Sequence, residues 1–405
     1  MRAIRLLGET TSGGERLPWS EAASYRGRRW HDVRLSMDDV PSPSRSSGHV
    51  VLEPQVCGLC GTDFAVCRHN GADGTVCFKG PLALPVTLGH EFCGIVVEAP
   101  NESELAVGEL VAVESIVACG SCPSCRRGYR DCCRHISLVG LTYDGALADY
   151  VAVPASCCRS LRHLQATYGN QEDLLLAGAM VEPFGCAYNA LFCAHRGFQP
   201  GCTVCVYGVG GLGIAAMYLA AVAGAGRVLG VDNMSSRSGF CSTVLPPWVP
   251  VAHLDGGSSD ELSRGIREST GGRGIDVAVI CDGGGQLPPQ AAIDNLAPGG
   301  RMVLLTRGML SGGVQNDVLV DNAAAVVGVR GQSSHNAMGR VIELMEGGVL
   351  RPERLVQRVV DFDEAVAVLS APADRTIPPG RTAVAIGVKG ETAEFLRTSL
   401  RTGGR

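Results

Sequence analysis

The chain lacks any long uninterrupted apolar run, and none approaches the roughly eighteen residues that a transmembrane helix requires. Its first residues include a short apolar stretch, but this falls short of the hydrophobic region of a secretory signal peptide. Basic charge is also scarce, because the net charge is −5 and no concentrated basic face is evident. No internal repeat is visible. These absences favour a soluble cytoplasmic protein without a membrane or nucleic-acid partner.

The composition predicts a globular protein of at least two domains. The 405 residues exceed the length at which a single hydrophobic core stops growing. Hydrophobic residues make up 45% of the chain and charged residues 19%, which is ordinary for folded proteins. The chain also has 18 cysteines. In a reducing compartment they are expected to be free thiols and metal ligands rather than disulfides.

The two halves of the chain have different patterns. Up to about residue 190, short apolar segments separated by turn residues predict a mainly β domain. From about residue 200, apolar strands alternate with helices, which predicts a parallel sheet with helices on both faces. After residue 330 we expect two helices and a closing strand. The predicted domains are therefore 1–190, 191–332 and a carboxyl-terminal segment, 333–405.

A glycine-rich fingerprint follows the first strand of the second domain. Gly208, Gly210, Gly211 and Gly213 stand in a GxGGxG pattern that opens a helix, and Asp232 ends the next strand. In a dinucleotide site the glycines allow a tight turn, close approach of a pyrophosphate and close helix packing, while the helix amino terminus faces the anion. The acid would bind a ribose diol and repel a 2′-phosphate. The pattern predicts NAD binding in preference to NADP.

The segment after Asp232 departs from this pattern. Pro246, Pro247 and Pro250 are expected to end or prevent the helix that normally follows, so we expect an irregular wall around the adenine pocket. Arg237 is close enough in the chain to weaken the preference for NAD.

Four cysteines predict a structural zinc lobe at about residues 117–135. They stand in C-x2-C-x2-C-x7-C spacing, and short C-x2-C steps bring thiolates onto one tight turn. An all-thiolate shell closes the coordination sphere and leaves no position for chemistry. The expected ligands are Cys119, Cys122, Cys125 and Cys133, with Cys132 as the alternative to the last.

A second set of possible ligands is dispersed along the chain. Cys60, the pair His90 and Glu91, and Glu182 combine a thiolate, an imidazole and carboxylates, and three such ligands with a water describe an open zinc site. Spacing alone does not separate this set from ordinary surface residues. Cys57 and Cys60 also have C-x2-C spacing, which is compatible with a zinc knuckle or a redox pair.

Taken in order, these motifs resemble those of the zinc-containing medium-chain alcohol and polyol dehydrogenases. The resemblance spans about residues 30–390 and is carried by CGTD at 60–63, GHE at 89–91, the four-cysteine lobe, EP at 182–183 and the glycine-rich turn. The runs LPVTLGHEFCGIVVE, LAGAMVEPFGCAYNAL and GVRGQSSHNAMGRVIELMEGG are similar to those of sorbitol, threonine and inosose dehydrogenases. The resemblance implies a Rossmann domain and a mainly β, GroES-like catalytic domain, completed by the carboxyl-terminal segment.

The resemblance also assigns expected roles to residues. Cys60, His90 and Glu182 match catalytic zinc ligands, and Glu91 matches a residue that ligates directly or exchanges with water. Thr62 matches the hydroxyl that contacts the substrate alcohol and begins a proton relay. Asp63 is expected to orient a ligand. Cys57 and Cys67 are then expected to be packing thiols.

Two departures from the family pattern concern the relay and the amino terminus. Ala65 stands where members commonly have a histidine, so the proton is expected to leave through water, a cofactor ribose hydroxyl or another residue such as His69. The sequence around 9–30 is extra. A surface loop is the favoured interpretation of it, with a cover over the cleft or an oligomer contact as alternatives.

The expected function is reversible oxidation of a secondary alcohol on a polyol or cyclitol, with two zinc ions and NAD per chain. A small-molecule substrate and a homodimer or homotetramer are the implied partners. One alternative is a biosynthetic ketone or enone reductase acting on a carbacyclic or amino sugar. A more remote alternative is a non-enzymatic, zinc-stabilised nucleotide-binding protein.

Overall fold

A computed structural model describes most of the chain. The described residues are 1–10, 29–44, 46–68, 76–78, 80–194, 197–282, 287–306, 316–371, 379–388 and 390–399. They form two compact units, Met1–Glu182 with Gln332–Arg405, and Pro183–Gly331. We call these unit 1 and unit 2. The extra sequence around 9–30 and His69 fall largely or wholly outside the described residues.

Unit 1 is mainly β. A four-stranded sheet contains, in spatial order, Val76–Cys77, Arg29–Asp39, Arg2–Thr10 and Val86–Thr87. A larger sheet contains Cys158–Ser160, Leu110–Val113, Glu91–Glu98, His49–Gly58, Arg381–Ala385 and Val356–Asp361, with Val151–Pro154 also paired to His49–Gly58. Ile116–Val117 pairs with Ser137–Leu138. Unit 1 contains the α-helices Gly61–Cys67, Pro123–Arg126, Ala337–Glu346, Phe362–Ser370 and Gly390–Ser399.

The carboxyl-terminal segment differs in part from expectation. We expected two helices before the closing strand, and Ala337–Glu346 and Phe362–Ser370 are helical. Val356–Asp361, however, is a strand, because it pairs in parallel with the closing strand Arg381–Ala385. Arg381–Ala385 in turn pairs with His49–Gly58. The end of the chain thereby becomes part of the sheet that carries the candidate metal site.

Unit 2 confirms the predicted parallel sheet. Its strands lie in the order Val251–Asp255, Arg227–Asp232, Thr203–Tyr207, Ile275–Ile280, Leu296–Leu304 and Ala325–Gly328, and every neighbouring pair is parallel. This 3-2-1-4-5-6 order is the doubly wound Rossmann arrangement. Its helices are Gly211–Val222, Ser235–Val244, Ser259–Thr270, Pro289–Ile293 and Asp317–Asp321.

One long apolar helix joins the two units in the chain. Gln171–Tyr188 continues as a π-helical segment, Asn189–Cys193. Its length and composition would suffice to cross a membrane, but 89% of its most apolar window is buried in the fold. It is therefore a core helix.

The irregular segment expected after Asp232 is a helix. Ser235–Val244 forms ten residues of α-helix, which end immediately before the proline-rich stretch. The expectation of an irregular wall was wrong because a ten-residue helix fits between Asp232 and Pro246 without placing a proline in its interior.

Candidate metal centre and dinucleotide loop

Cys60 lies where a buried strand turns into a helix. It directly precedes the helix Gly61–Cys67 and follows the strand His49–Gly58 by two residues. The backbone N–H of Cys60 donates a hydrogen bond to Oδ2 of Asp63, at 2.9 Å. This bond satisfies a donor that the start of a helix would otherwise leave open. The sulfur of Cys60 is thus carried by a short, locally fixed turn.

Strand pairing brings His90 and Glu91 to the same end of the sheet. Gly58 lies opposite Glu91 in the antiparallel pair. A Cβ atom at position 58 would lie 2.7 Å from Cε of Met180 and 2.9 Å from Oε2 of Glu91, so a larger residue there would displace these side-chain ends. Cys60 follows Gly58 by two residues and His90 precedes Glu91, so this pairing brings the Cys60 and His90 side chains close together.

The structure brings three predicted ligands into one group. The ligand atoms of Cys60, His90 and Glu91 all lie within 4.8 Å of one another. Nδ1 of His90 is 3.4 Å from Oδ1 of the buried Asp63, so a proton on Nδ1 would face this carboxylate and leave Nε2 with its lone pair. Burial opposes charge on His90, but the charges of Asp63 and Cys60 raise its pKa well above the usual value.

Arg381 was missed by the sequence analysis. Its guanidinium is buried, and Nη2 donates to Oε1 of Glu91 at 2.6 Å, whereas Oε2 of Glu91 has no hydrogen-bond partner among the described residues. The only signal in the sequence is a charged residue at the start of an otherwise uncharged closing strand. The ion pair holds one oxygen of Glu91 and leaves the other available.

Glu182 lies beside this group but outside it. Its carboxylate is buried, and Oε1 accepts a hydrogen bond from the Ser115 hydroxyl at 2.8 Å. Burial and the charge of Glu91 raise the pKa of Glu182 to about 7, against the opposing influence of His90.

The donor set fits a bound cation. A thiol, an imidazole and several carboxyl groups are concentrated in a buried space, where uncompensated negative charge is costly. Arg381 is the buried cation that pairs directly with one of them. Nitrogen, sulfur and carboxylate ligands are those that zinc takes in catalytic sites.

The four predicted cysteines form a second group. The sulfur atoms of Cys119, Cys122, Cys125 and Cys133 lie within 4.8 Å of one another, and three of the separations are 3.5, 3.6 and 3.9 Å. Four sulfurs about 2.3 Å from a central zinc ion would lie ~3.8 Å apart. Cys132 is exposed and outside the group. The cluster is consistent with a structural zinc lobe.

Backbone N–H groups donate hydrogen bonds to the sulfur atoms of this group, and such bonds stabilise the thiolate form. N–H groups donate to sulfur at Cys119 and Cys133. Hydrogen bonds from the backbone of Arg134 and Cys125 lower the pKa of Cys122 to about 6. These donors favour the thiolate, which is the form that binds zinc.

The glycine-rich turn has the geometry that a dinucleotide loop needs. Gly208 has φ of 88°, and a Cβ there would lie 2.7 Å from the backbone nitrogen of Asp282. A Cβ on Gly213 would collide with the carbonyl oxygen of Gly208, whereas one on Gly210 would meet nothing within 4 Å. Gly208 and Gly213 thus close the turn against the sheet, while Gly210 and the helix start at Gly211 remain open to a ligand.

Asp232 is more heavily engaged than expected. Oδ2 accepts from the Val209 N–H at 2.7 Å and pairs with Arg237 at 3.0 Å, while Oδ1 accepts from the Met234 N–H at 2.9 Å. The carboxylate therefore anchors the glycine-rich turn as well as lying at the end of the second strand. Arg237, which was expected to weaken the preference for NAD, forms an ion pair with Asp232.

The described residues also line a separate cavity of about 530 Å³ in unit 1. Arg5, Thr142 and Tyr150 are among its lining residues, and none of the candidate ligands is. It is not part of the metal centre.

Comparison with known proteins identifies the relatives of this arrangement. Residues 46–163 match the alcohol dehydrogenase GroES-like domain. Scyllo-inosose 3-dehydrogenase of Thermotoga maritima is 29% identical over 347 residues, covering 83% of this chain and 86% of that protein. A probable D-xylulose reductase A of Emericella nidulans is 28% identical over 82% of this chain and 88% of that protein. L-threonine 3-dehydrogenase of Pyrococcus furiosus is 26% identical over 78% of this chain and 85% of that protein.

Solved structures agree with these sequence matches. A Thermotoga maritima structure assigned to the alcohol dehydrogenases superposes with a TM-score of 0.82 at 25% identity, over 95% of this chain and 99% of that one. Galactitol-1-phosphate dehydrogenase of Escherichia coli, at 20% identity, shares the fold with a TM-score of 0.73, over 95% of this chain and all of that one. In its Rossmann unit, its GroES-like domain and its two groups of metal-ligand residues, the chain is similar over most of its length to the medium-chain zinc alcohol dehydrogenases.

Proposed function

We propose that the protein catalyses reversible, NAD-linked interconversion of a secondary alcohol and a ketone on a cyclitol or related polyol. Similarity to these dehydrogenases over most of the chain supports an NAD(P)-dependent oxidoreductase over the non-enzymatic alternative. The observation that carries the proposal is the buried convergence of Cys60, His90 and Glu91. The cyclitol class is supported by the 29% identity to scyllo-inosose 3-dehydrogenase.

We assign zinc to both groups of ligands. Cys60, His90 and Glu182 would hold the catalytic ion, with Glu91 as a ligand that exchanges with water. A bound zinc ion supplies Lewis acidity that lowers the pKa of an alcohol, and bound NAD supplies the hydride acceptor.

The chain's own residues orient the substrate and move its proton. Thr62 is half-buried at the start of the helix that Cys60 precedes, and its hydroxyl would accept the proton of the substrate alcohol. Oδ1 of Asp63 lies 3.4 Å from Nδ1 of His90 and would orient the His90 ring. Ala65 is exposed and offers no proton acceptor, so we propose that the proton leaves through water or a cofactor ribose hydroxyl. The family resemblance also supports a cytoplasmic homodimer or homotetramer.

A substrate panel tests the proposed reaction. We expect NADH formation, followed by its absorbance, with at least one cyclitol and faster than with acyclic sugar alcohols. The reverse reaction should consume NADH with the corresponding inosose. Turnover only with ketones of carbacyclic or amino sugars, in the reducing direction, would instead support the biosynthetic reductase.

Cofactor choice is tested at Asp232. We expect Asp232→Asn to raise KM for NAD roughly 10- to 100-fold, because a hydrogen bond to a charged group contributes roughly 1.5–3 kcal/mol. We expect the preference for NAD over NADP to narrow, because the amide no longer repels a 2′-phosphate. The two KM values, measured with one alcohol at saturation, check this.

Asp255→Asn is the matched control. Asp255 ends the neighbouring strand at the position paired with Asp232, but its side chain is exposed. It should leave both KM values unchanged. If the ratio of KM for NAD to KM for NADP is the same in Asp232→Asn as in the wild type, Asp232 anchors the loop without contacting the ribose.

A further inference from the structure

Residues Gln332, Ser333 and Ser334 form a buried segment that is tied to two other parts of unit 1. All three residues are buried. The Gln332 side chain donates to the Ser115 hydroxyl at 2.9 Å, and the Ser333 hydroxyl donates to the Ile116 carbonyl at 3.5 Å. The segment belongs to the run GQSSHNAM, which the proposed reaction leaves without a role.

The hydrogen bonds through Ser115 have a fixed direction. The Gln332 amide nitrogen can only donate, so the Ser115 oxygen accepts at this contact. A hydroxyl has one proton, and that of Ser115 is therefore left for Oε1 of Glu182. Gln332 thus commits Ser115 to donate to the carboxylate that we assign to the catalytic metal.

The same segment is hydrogen-bonded to Asp131 of the cysteine lobe. Both oxygens of the buried Asp131 accept backbone N–H groups, Oδ1 from Ser333 at 2.8 Å and Oδ2 from Ser334 at 2.9 Å. In return, the Asp131 N–H donates to the Ser334 hydroxyl at 3.3 Å. Asp131 lies between Cys125 and Cys133, two residues of the lobe. Hydrogen bonds at Asp131 and at Ser115, joined by the backbone of residues 332–334, therefore link the lobe to Glu182.

We propose that Ser115 and Gln332 are positioning residues that hold Oε1 of Glu182 so that its other oxygen is directed to the catalytic metal, and that Asp131 fixes them to the cysteine lobe. This role rests on the proposed function, in which Glu182 is a metal ligand. It gives the structural lobe a part in the geometry of the catalytic site.

A loss of orientation should appear first in metal affinity. Partners that orient metal ligands typically contribute 10- to 100-fold to affinity or activity. We expect Ser115→Ala to lower the affinity for the catalytic metal about tenfold or more. The affinity for the metal held by the four cysteines should not change. Ser115→Thr retains the hydroxyl and should restore most of the affinity.

Gln332→Glu reverses the direction of the hydrogen bonds with little change of shape. A carboxylate at 332 accepts the Ser115 proton and draws it away from Glu182. We expect the same loss as in Ser115→Ala. Asp131→Asn, which exchanges one of two acceptors for a donor, should give a smaller loss at the catalytic metal while the lobe metal stays bound.

The experiment titrates each full-length variant with Zn²⁺ or Co²⁺ against a competing chelator. The absorption bands of bound Co²⁺ report the geometry of its ligands, and kcat and KM for NAD are measured in parallel. The reference is Glu182→Ala, alone and combined with Ser115→Ala. Asp276→Asn is the control, because Asp276 accepts a backbone N–H from Thr203 in unit 2.

The results separate the positioning role from the ligand assignment. The proposal is supported if Ser115→Ala weakens the metal in the wild-type background and adds nothing in Glu182→Ala. It is overturned if Glu182→Ala weakens the metal while Ser115→Ala and Gln332→Glu do not. If Glu182→Ala leaves affinity unchanged, the ligand assignment itself fails and the positioning role with it. Should Ser115→Ala fail to fold, Gln332→Glu carries the same comparison.

Discussion

Cys60→Ser is expected to lower kcat/KM for the preferred cyclitol by more than about 10³-fold, because Lewis-acid stabilisation contributes several kcal/mol to such a reaction. A serine hydroxyl at this position is a far weaker zinc ligand than a thiolate. Metal content should fall from two zinc ions per chain to one. Binding of NADH, followed by its fluorescence, should remain measurable because the glycine-rich turn belongs to unit 2.

Cys67→Ser is the matched control for this variant. Cys67 ends the helix that Cys60 precedes, and its half-buried sulfur is outside both metal groups. The control should retain two zinc ions and near-normal turnover. Full activity in Cys60→Ser would refute a zinc-dependent reaction at this site.

Cys122→Ser is expected to cause the largest loss of stability. The lobe holds four cysteines around a few apolar side chains, among them Ile116 and Ile136, so it has little core of its own. Structural zinc sites contribute folding free energy directly, with apparent binding of ~10–16 kcal/mol in zinc-finger peptides. We expect a loss of at least about 3 kcal/mol in the free energy of unfolding, a fall of ~6–12 °C in the apparent melting temperature.

The measurement combines thermal unfolding with metal analysis. Cys122→Ser should retain one zinc ion per chain, at the catalytic site. Cys132→Ser is the control, since Cys132 is exposed and adjacent to the lobe without joining it. An unchanged melting temperature and two bound zinc ions in Cys122→Ser would contradict a structural metal in the lobe.

The sequence was sufficient for the features that depend on local pattern. Strand and helix periodicity predicted the parallel sheet, and four closely spaced cysteines predicted the lobe, because their partners are near in the chain. The segment after Asp232 shows the limit of such reasoning. Prolines end a helix, but they do not determine whether enough residues precede them to form one.

Residues that act across long chain separations were not predictable in the same way. Arg381 reaches Glu91 over 290 positions, and Gln332 reaches Ser115 over 217. No spacing rule links such pairs, because the sheet pairing of Arg381–Ala385 and the return of the chain at Gln332 bring them together. The family resemblance supplied candidate ligands and Asp63 beside them, but not Arg381, Ser115 or Gln332.

The pairing of Gly58 with Glu91 also makes the metal centre sensitive to how the sheet assembles. Successive side chains of a strand point to opposite faces, so a slip of one residue would turn Glu91 away and offset His90 from Cys60. A chain with the wrong register could not gather these ligands. A metal that binds only the correct pairing would shift the folding equilibrium towards it, and metal supply during synthesis would then affect the yield of correctly folded protein as well as its activity.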